Sequence, residues 1–138
     1  MTKITTRAQG NAAEDRALHF LESQGLHLLM RNYQLRSGEI DLVMRDQEHV
    51  VFAEVRYRRS NHFGGALHSI NARKQQKIIA TANHYILRYG VDLPARFDVV
   101  AITGKDDIQW IQDAFIADWV KECRPTHVQT FIRPKSSE

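Results

Sequence analysis

Between Gly38 and Arg59 the sequence GEIDLVMRDQEHVVFAEVRYRR alternates with period two on either side of a polar turn at Asp46-Gln47-Glu48-His49. That pattern specifies two antiparallel strands joined as a hairpin. On the first strand Ile40, Leu42 and Met44 share one face, and Glu39, Asp41, Val43 and Arg45 the other. On the second, Val51, Ala53, Val55 and Tyr57 oppose Phe52, Glu54, Arg56 and Arg58. One face is apolar throughout and reads as core. The other sets Asp41, Glu54 and Arg56 among apolar side chains well inside the strands, where an ionised group loses its hydration. Charges so placed need a partner, and either a metal ion or a structural ion pair would serve.

The flanking segments supply layers for this hairpin. Residues 5–24 read as a helix stopped by Gly25, a C′ glycine. Two starts compete: a capping box at Thr6-Arg7-Ala8-Gln9 and another at Asn11-Ala12-Ala13-Glu14. Ala17, Leu18 and Leu21 follow Glu14 at helical spacing, so its carboxylate lies in the middle of the apolar stripe. Either Glu14 completes a capping box, or it projects across the sheet toward Asp41 and Glu54. Leu28–Leu35 reads as a strand, and Ser60–Gly65 as a glycine-containing loop without a phosphate-binding fingerprint.

A second helix spans residues 72–89, capped by Asn71 and stopped by Gly90, with Ile78, Ile79, Ala82, Tyr85, Ile86 and Tyr89 as its buried stripe. Arg73, Lys74 and Lys77 crowd its first turns, where cations oppose the helix dipole. A phosphate backbone would favour them there, and a solvated charged face is the plainer reading. Gln75 lies on the apolar side of the same turn. Two further strands follow at Arg96–Thr103 and Ile108–Phe115, and Asp98 in the first of them reads as a structural carboxylate paired with Arg96, and only secondarily as part of a site.

With 138 residues the chain has room for one domain with a real core, assigned to residues 1–120. The aperiodic residues 121–138 form a tail expected to be loosely ordered or used in contacts. A formal charge of +3 is too mild to identify a polyanionic partner by itself. The lone Cys123 excludes an internal disulfide framework, and no apolar run reaches membrane-spanning length or forms a signal peptide. A cytoplasmic protein with no membrane partner is expected. Among seven histidines none forms a compact ligand pair, His62 and His68 included, and no Gly-x-Ser-x-Gly elbow exists.

Asp41 and Glu54 lie on adjacent strands and their side chains can converge. With the main-chain carbonyl of Val55 they make an all-oxygen ligand set suited to Mg²⁺ or Mn²⁺. Such an ion polarises a phosphodiester and acidifies a bound water. Arg56, on the face of Glu54, would stabilise charge on the phosphorus oxygens, with Arg58 and Arg59 extending positive charge along the approach.

Asp41 followed by Glu54-Val55-Arg56 resembles the Asp…(Asp/Glu)-x-Lys signature of the restriction-endonuclease-like nuclease superfamily. The ordered set of Glu14, Arg31-Asn32-Tyr33, Gly38-Glu39-Ile40-Asp41-Leu42, Phe52-Ala53-Glu54-Val55-Arg56, Phe63-Gly64, Arg73-Lys74-Gln75 and Arg96-Phe97-Asp98-Val99-Val100 resembles the YraN-type family over residues 8–118. That family is similar in predicted fold to archaeal Holliday-junction resolvases. The resemblance implies a three-layer α/β fold of restriction-endonuclease-like type, with a central mixed sheet flanked by helices. It also implies Glu14, Asp41 and Glu54 as metal-binding acids, Arg56 in the lysine position, and Gln75 and Lys74 as supporting groups. The implied partner is nucleic acid, DNA by preference and branched DNA by analogy. The implied assembly is a homodimer, because junction cleavage needs two sites. Arginine at the lysine position departs from the superfamily: it stays protonated and cannot act as a base, although it grips phosphate bidentately. A module that binds nucleic acid without cutting it is therefore the alternative. A third reading is a buried structural network of Asp41, Glu54 and Arg56.

Overall fold

The computed structural model describes residues 6–58, 70–103, 107–116 and 131–133. Its elements run α1 (Thr6–Ser23), β1 (His27–Leu35), β2 (Gly38–Arg45), β3 (Val50–Arg58), α2 (Ala72–Tyr89), β4 (Ala95–Thr103), β5 (Asp107–Phe115) and β6 (Phe131–Arg133). The six strands lie in one sheet in sequence order. Only β3 and β4 pair in parallel, with Glu54 opposite Val99, while the other neighbours are antiparallel. A parallel neighbour cannot be reached through a tight turn. The chain between β3 and β4 accordingly includes α2.

The sheet is covered on both faces. Ala13, Ala17 and Leu21 of α1 pack with Leu42, Met44, Val51, Ala53, Val100 and Trp110. Ile78, Ala82 and Tyr85 of α2 pack with Val43, Phe52, Phe97 and Val99 on the other side. These two clusters sandwich the strands into three layers, α/β with a mixed sheet, as the resemblance implies. The buried apolar side chains supply the main driving force for that arrangement.

Local signals explain several boundaries. The carboxylate of Asp46 accepts the amides of Glu48 and His49 at 2.8 and 2.7 Å, closing the hairpin turn with its own side chain. Asn71 caps α2 by accepting the Lys74 amide at 2.9 Å, and Gly90 ends it in a left-handed conformation with its amide on the Ile86 carbonyl. Gly38 has φ +156°, and a Cβ there would stand 3.2 Å from Thr81 Oγ1 and 3.4 Å from Lys77 O. A glycine thus lets the start of β2 lie against α2.

One open alternative closes and three expectations need correction. α1 begins at Thr6, so Asn11 is inside the helix and Glu14 is not its capping partner. Ile40 packs in the α2-side cluster with Val43, not with Leu42 and Met44. The β2–β3 ladder runs from Arg45↔Val50 to Leu42↔Ala53, and the start of β2 departs from regular alternation beyond it. Tyr89, expected in the buried stripe, is 47% exposed, and Leu87 beside it is 75% exposed, because the last turn of α2 has only one side covered. Tyr57, expected in the core, is 37% exposed near the end of β3. Conversely, buried Thr81 was not expected. Its hydroxyl meets Ser37 Oγ at 2.7 Å and donates to the Lys77 carbonyl at 2.9 Å, which removes the penalty for burying it. The sixth strand comes from the segment read as an aperiodic tail.

Candidate metal centre and its basic rim

The parting of β2 from β3 makes the site. Past Leu42↔Ala53 the carboxylate of Asp41 accepts the Val55 amide through Oδ2 at 2.8 Å. A side chain thereby takes a donor that would face β2 in a continuing ladder. Glu54, one residue earlier on β3, is only 7% exposed, and its Oε1 is buried with no hydrogen-bond partner. Its other oxygen, Oε2, lies 3.4 Å from Arg56 Nη2 and 3.8 Å from Lys74 Nζ.

Two adjoining cavities meet at this pair. One of about 430 Å³ is lined by Asp41 and Glu54 together with Gly38, Glu39, Asn71, Arg73, Lys74, Lys77 and Ile78. The second, about 280 Å³, shares Glu39, Asp41, Glu54 and Lys74 with the first and adds Ala13, Glu14, Val55, Arg56 and Tyr57. The N-terminal turns of α2 therefore overhang an acidic floor with a basic rim.

The electrostatics of the floor are those of crowded acids. Burial is the largest influence on Asp41 and pushes its carboxyl up to about 6; the charges of Glu14 and Glu39 add to it, against the Val55 amide and Arg56. Burial, followed by the charge of Asp41, pushes Glu54 up to about 8, although Arg56 and Lys74 oppose the rise. Both acids thus bind protons more tightly in the metal-free fold than in the unfolded chain. Native protein then carries extra protons between about pH 4.5 and pH 8, so its stability falls as pH rises through that window. Glu54→Gln copies the protonated acid without the later charge. Near pH 8 we expect this variant to be more stable than the parent by roughly 4 kcal/mol, a margin that shrinks to under about 1 kcal/mol near pH 5. Urea unfolding at both pH values measures this. A destabilised variant at both would instead identify a structural ion network.

The positions of the sequence candidates are mixed. Asp41, Glu54, Arg56, Arg73, Lys74 and Lys77 all line these cavities, and so does Glu14. Glu14, however, accepts a hydrogen bond from Arg31 Nη2 at 3.1 Å, while Arg31 Nη1 reaches Asp15 at 2.9 Å. Among the described residues no three His, Cys, Asp or Glu side chains form a ready metal cluster. The donor chemistry nevertheless fits a hard divalent ion at Asp41 and Glu54, the second of which has a buried oxygen without any partner. Gln75 does not reach the carboxylates: its Nε2 donates to the Ile70 carbonyl at 3.0 Å, holding the entry to α2. The side chain of Arg58, the whole of Arg59, the glycine loop with Phe63-Gly64, His62 and His68, and Cys123 lie outside the described residues. Glu39 and Tyr57 were not singled out. Glu39 sits two residues before Asp41 on the same strand face, a signal that was visible; Tyr57 reaches the second cavity from near the end of β3, where local alternation alone places it in the core.

Asp98 stands apart from the cavity. It is fully buried and accepts Arg96 Nε at 3.0 Å and Nη2 at 2.9 Å, Trp110 Nε1 at 2.9 Å and the Asp113 amide at 3.0 Å. This is the structural role expected for it.

Comparison with known proteins bears on the whole arrangement. The profile of the family described as "Uncharacterised protein family UPF0102" matches residues 13–102, a span that contains every acid of the cavity. A UPF0102 protein of Nitrosococcus oceani is 51% identical over 120 residues, covering 83% of this chain and 97% of its own. One from Nitrosomonas eutropha is 49% identical over 111 residues, with 80% and 96% covered. A third, from Paracidovorax citrulli, is 51% identical over 119 residues, with 83% and 87% covered. Among the described residues no helix is long and apolar enough to cross a membrane.

Proposed function

The chain belongs to the UPF0102 family, and on the chemistry of its cavity we propose that it is a divalent-metal-dependent nuclease that hydrolyses phosphodiester bonds in DNA. The observation that carries this reading is the buried, unpartnered Oε1 of Glu54 beside Asp41, on the floor of a cavity rimmed by Arg73, Lys74 and Lys77. Two adjacent acids held together in a low-dielectric site destabilise the metal-free fold, and a Mg²⁺ or Mn²⁺ ion would relieve that repulsion. The resemblance to the restriction-endonuclease-like superfamily points the same way.

Asp41, Glu54 and the Val55 carbonyl would hold the ion, with Glu14 able to join only by leaving Arg31. The ion would supply the Lewis acidity that makes a phosphodiester susceptible to water. The protein's own contribution is positional and electrostatic. Arg56 holds a fixed positive charge beside Glu54, where it would stabilise the extra charge on the phosphorus oxygens. Because a guanidinium keeps its proton, Arg56 takes no part in proton removal. Lys74 brings an ammonium from α2 to within 3.8 Å of the same carboxylate. That residue would orient water in the way the superfamily lysine does. A four-way junction has two strands to cut, and a homodimer would provide the second site.

Arg56 also favours a second reading, a nucleic-acid-binding module that does not cut. Incubating the protein with labelled duplex and four-way-junction DNA, with Mn²⁺ or with chelator, separates the two. Cleavage that depends on metal supports the nuclease. Binding with neither metal uptake nor cleavage overturns it.

A further inference from the structure

We propose that one face of α2 is a track for double-stranded DNA leading away from the acidic cavity, made by Arg73, Lys77, His84 and Arg88. The proposal deepens the nuclease reading and rests on it for the choice of DNA as occupant.

The geometry follows from helical periodicity. At 3.6 residues per turn these four side chains fall within a sector of about 60°, and all four are exposed. Arg73 and Lys77 line the cavity that holds Asp41 and Glu54, so the stripe begins at the rim of the site. From Arg73 to Arg88 it extends about 22 Å at 1.5 Å per residue. That distance corresponds to about six steps of one DNA strand.

The charge distribution is one-sided. α2 contains no Asp or Glu among its eighteen residues, although the chain as a whole has 16 acids. Cations at Arg73 and Lys77 lie in the first turns, where the helix dipole disfavours them. A solvated surface helix would gain from acids at that end and from ion pairs between its own turns, and α2, whose Lys74 pairs outward with Glu54, has neither. Phosphates are the complement of such a face. Two neighbours hold its distal half in place: the Tyr33 hydroxyl meets His84 Nδ1 at 2.8 Å, and the Arg88 guanidinium sits 5.4 Å from the centre of the Tyr89 ring. Both contacts restrict long or rotatable groups on the stripe, so less freedom is lost when a phosphate arrives.

The test measures affinity of the full chain for a labelled duplex of about 30 base pairs in chelator, between about 50 and 200 mM salt. Arg88→Ala should weaken binding about threefold or more and make the log–log salt slope shallower by about 0.9, one phosphate contact. Arg88→Lys keeps the charge and should restore most of that slope. Arg45→Ala removes an exposed cation elsewhere on the sheet and should leave the slope unchanged. An unchanged slope in Arg88→Ala, or an equal loss in Arg45→Ala, overturns the track. If the parent cuts DNA while Arg88→Ala keeps its salt slope, only the track fails. If the slope shifts as expected but nothing is cut with Mn²⁺, only the hydrolytic reading fails.

Discussion

In Asp41→Asn, Mn²⁺-dependent cleavage of DNA should fall by at least about 100-fold, because groups that merely support metal ligands already cost 10- to 100-fold. The asparagine keeps an oxygen that can accept the Val55 amide, so the fork between β2 and β3 survives. What it loses is the negative charge that would hold the ion. Heat of Mn²⁺ binding should vanish with the activity, while the unfolding transition stays cooperative. The metal-free variant should also be no less stable than the parent near neutral pH, since one of two crowded acids has been neutralised. Titration calorimetry, a cleavage assay and urea unfolding on the same preparation measure all three. Undiminished cleavage would remove Asp41 from the mechanism. A large loss of stability would make it part of a structural network.

The second large effect lies away from the cavity. Asp98→Ala should lower the unfolding free energy by about 3–5 kcal/mol, the usual consequence of removing one partner from a buried ion pair. Arg96, with a side chain only 11% exposed, would keep the more distant Asp46 at 3.7 Å and the charge of Asp113 but lose its two hydrogen bonds to a carboxylate. The indole of Trp110 and the amide of Asp113 would lose their acceptor as well. Asp98 is paired in register with Ala53, next to Glu54, so the damage is to the floor that supports the site. Urea denaturation gives the magnitude. A change below about 1 kcal/mol would mean that water replaces the carboxylate easily, contrary to its full burial.

How much of this was legible in the chain differs by element. The hairpin and α2 were legible because their signals are local: strict alternation, a turn aspartate, an Asn cap and a Gly stop. Asp98 was legible because a carboxylate alternating with Val100 and Ile102, two residues after an arginine, has an evident partner. Ile40 was misplaced because alternation assumes a regular strand, and β2 departs from β3 where Asp41 turns to an amide. Thr81 was missed because its burial depends on Ser37, which is distant in sequence. The two accounts of Glu14 resolve in part: it faces the cavity, but Arg31 already holds it. Nothing local in α1 signals that arginine. The contribution of Trp110 and Asp113 to Asp98 depends on the irregular register between β4 and β5 and on a positive φ of 59° at Asp113.

The fork at Asp41 also has a spectroscopic consequence. The Val55 amide is held by a carboxylate, so its exchange with solvent deuterium should respond to the ionisation of that one side chain, and to any ion it came to hold, as well as to opening of the sheet. Its neighbours across the ladder, tied to backbone carbonyls, exchange only when strands separate. The Val55 resonance should therefore serve as a built-in indicator of the state of Asp41, readable without substrate and without any turnover.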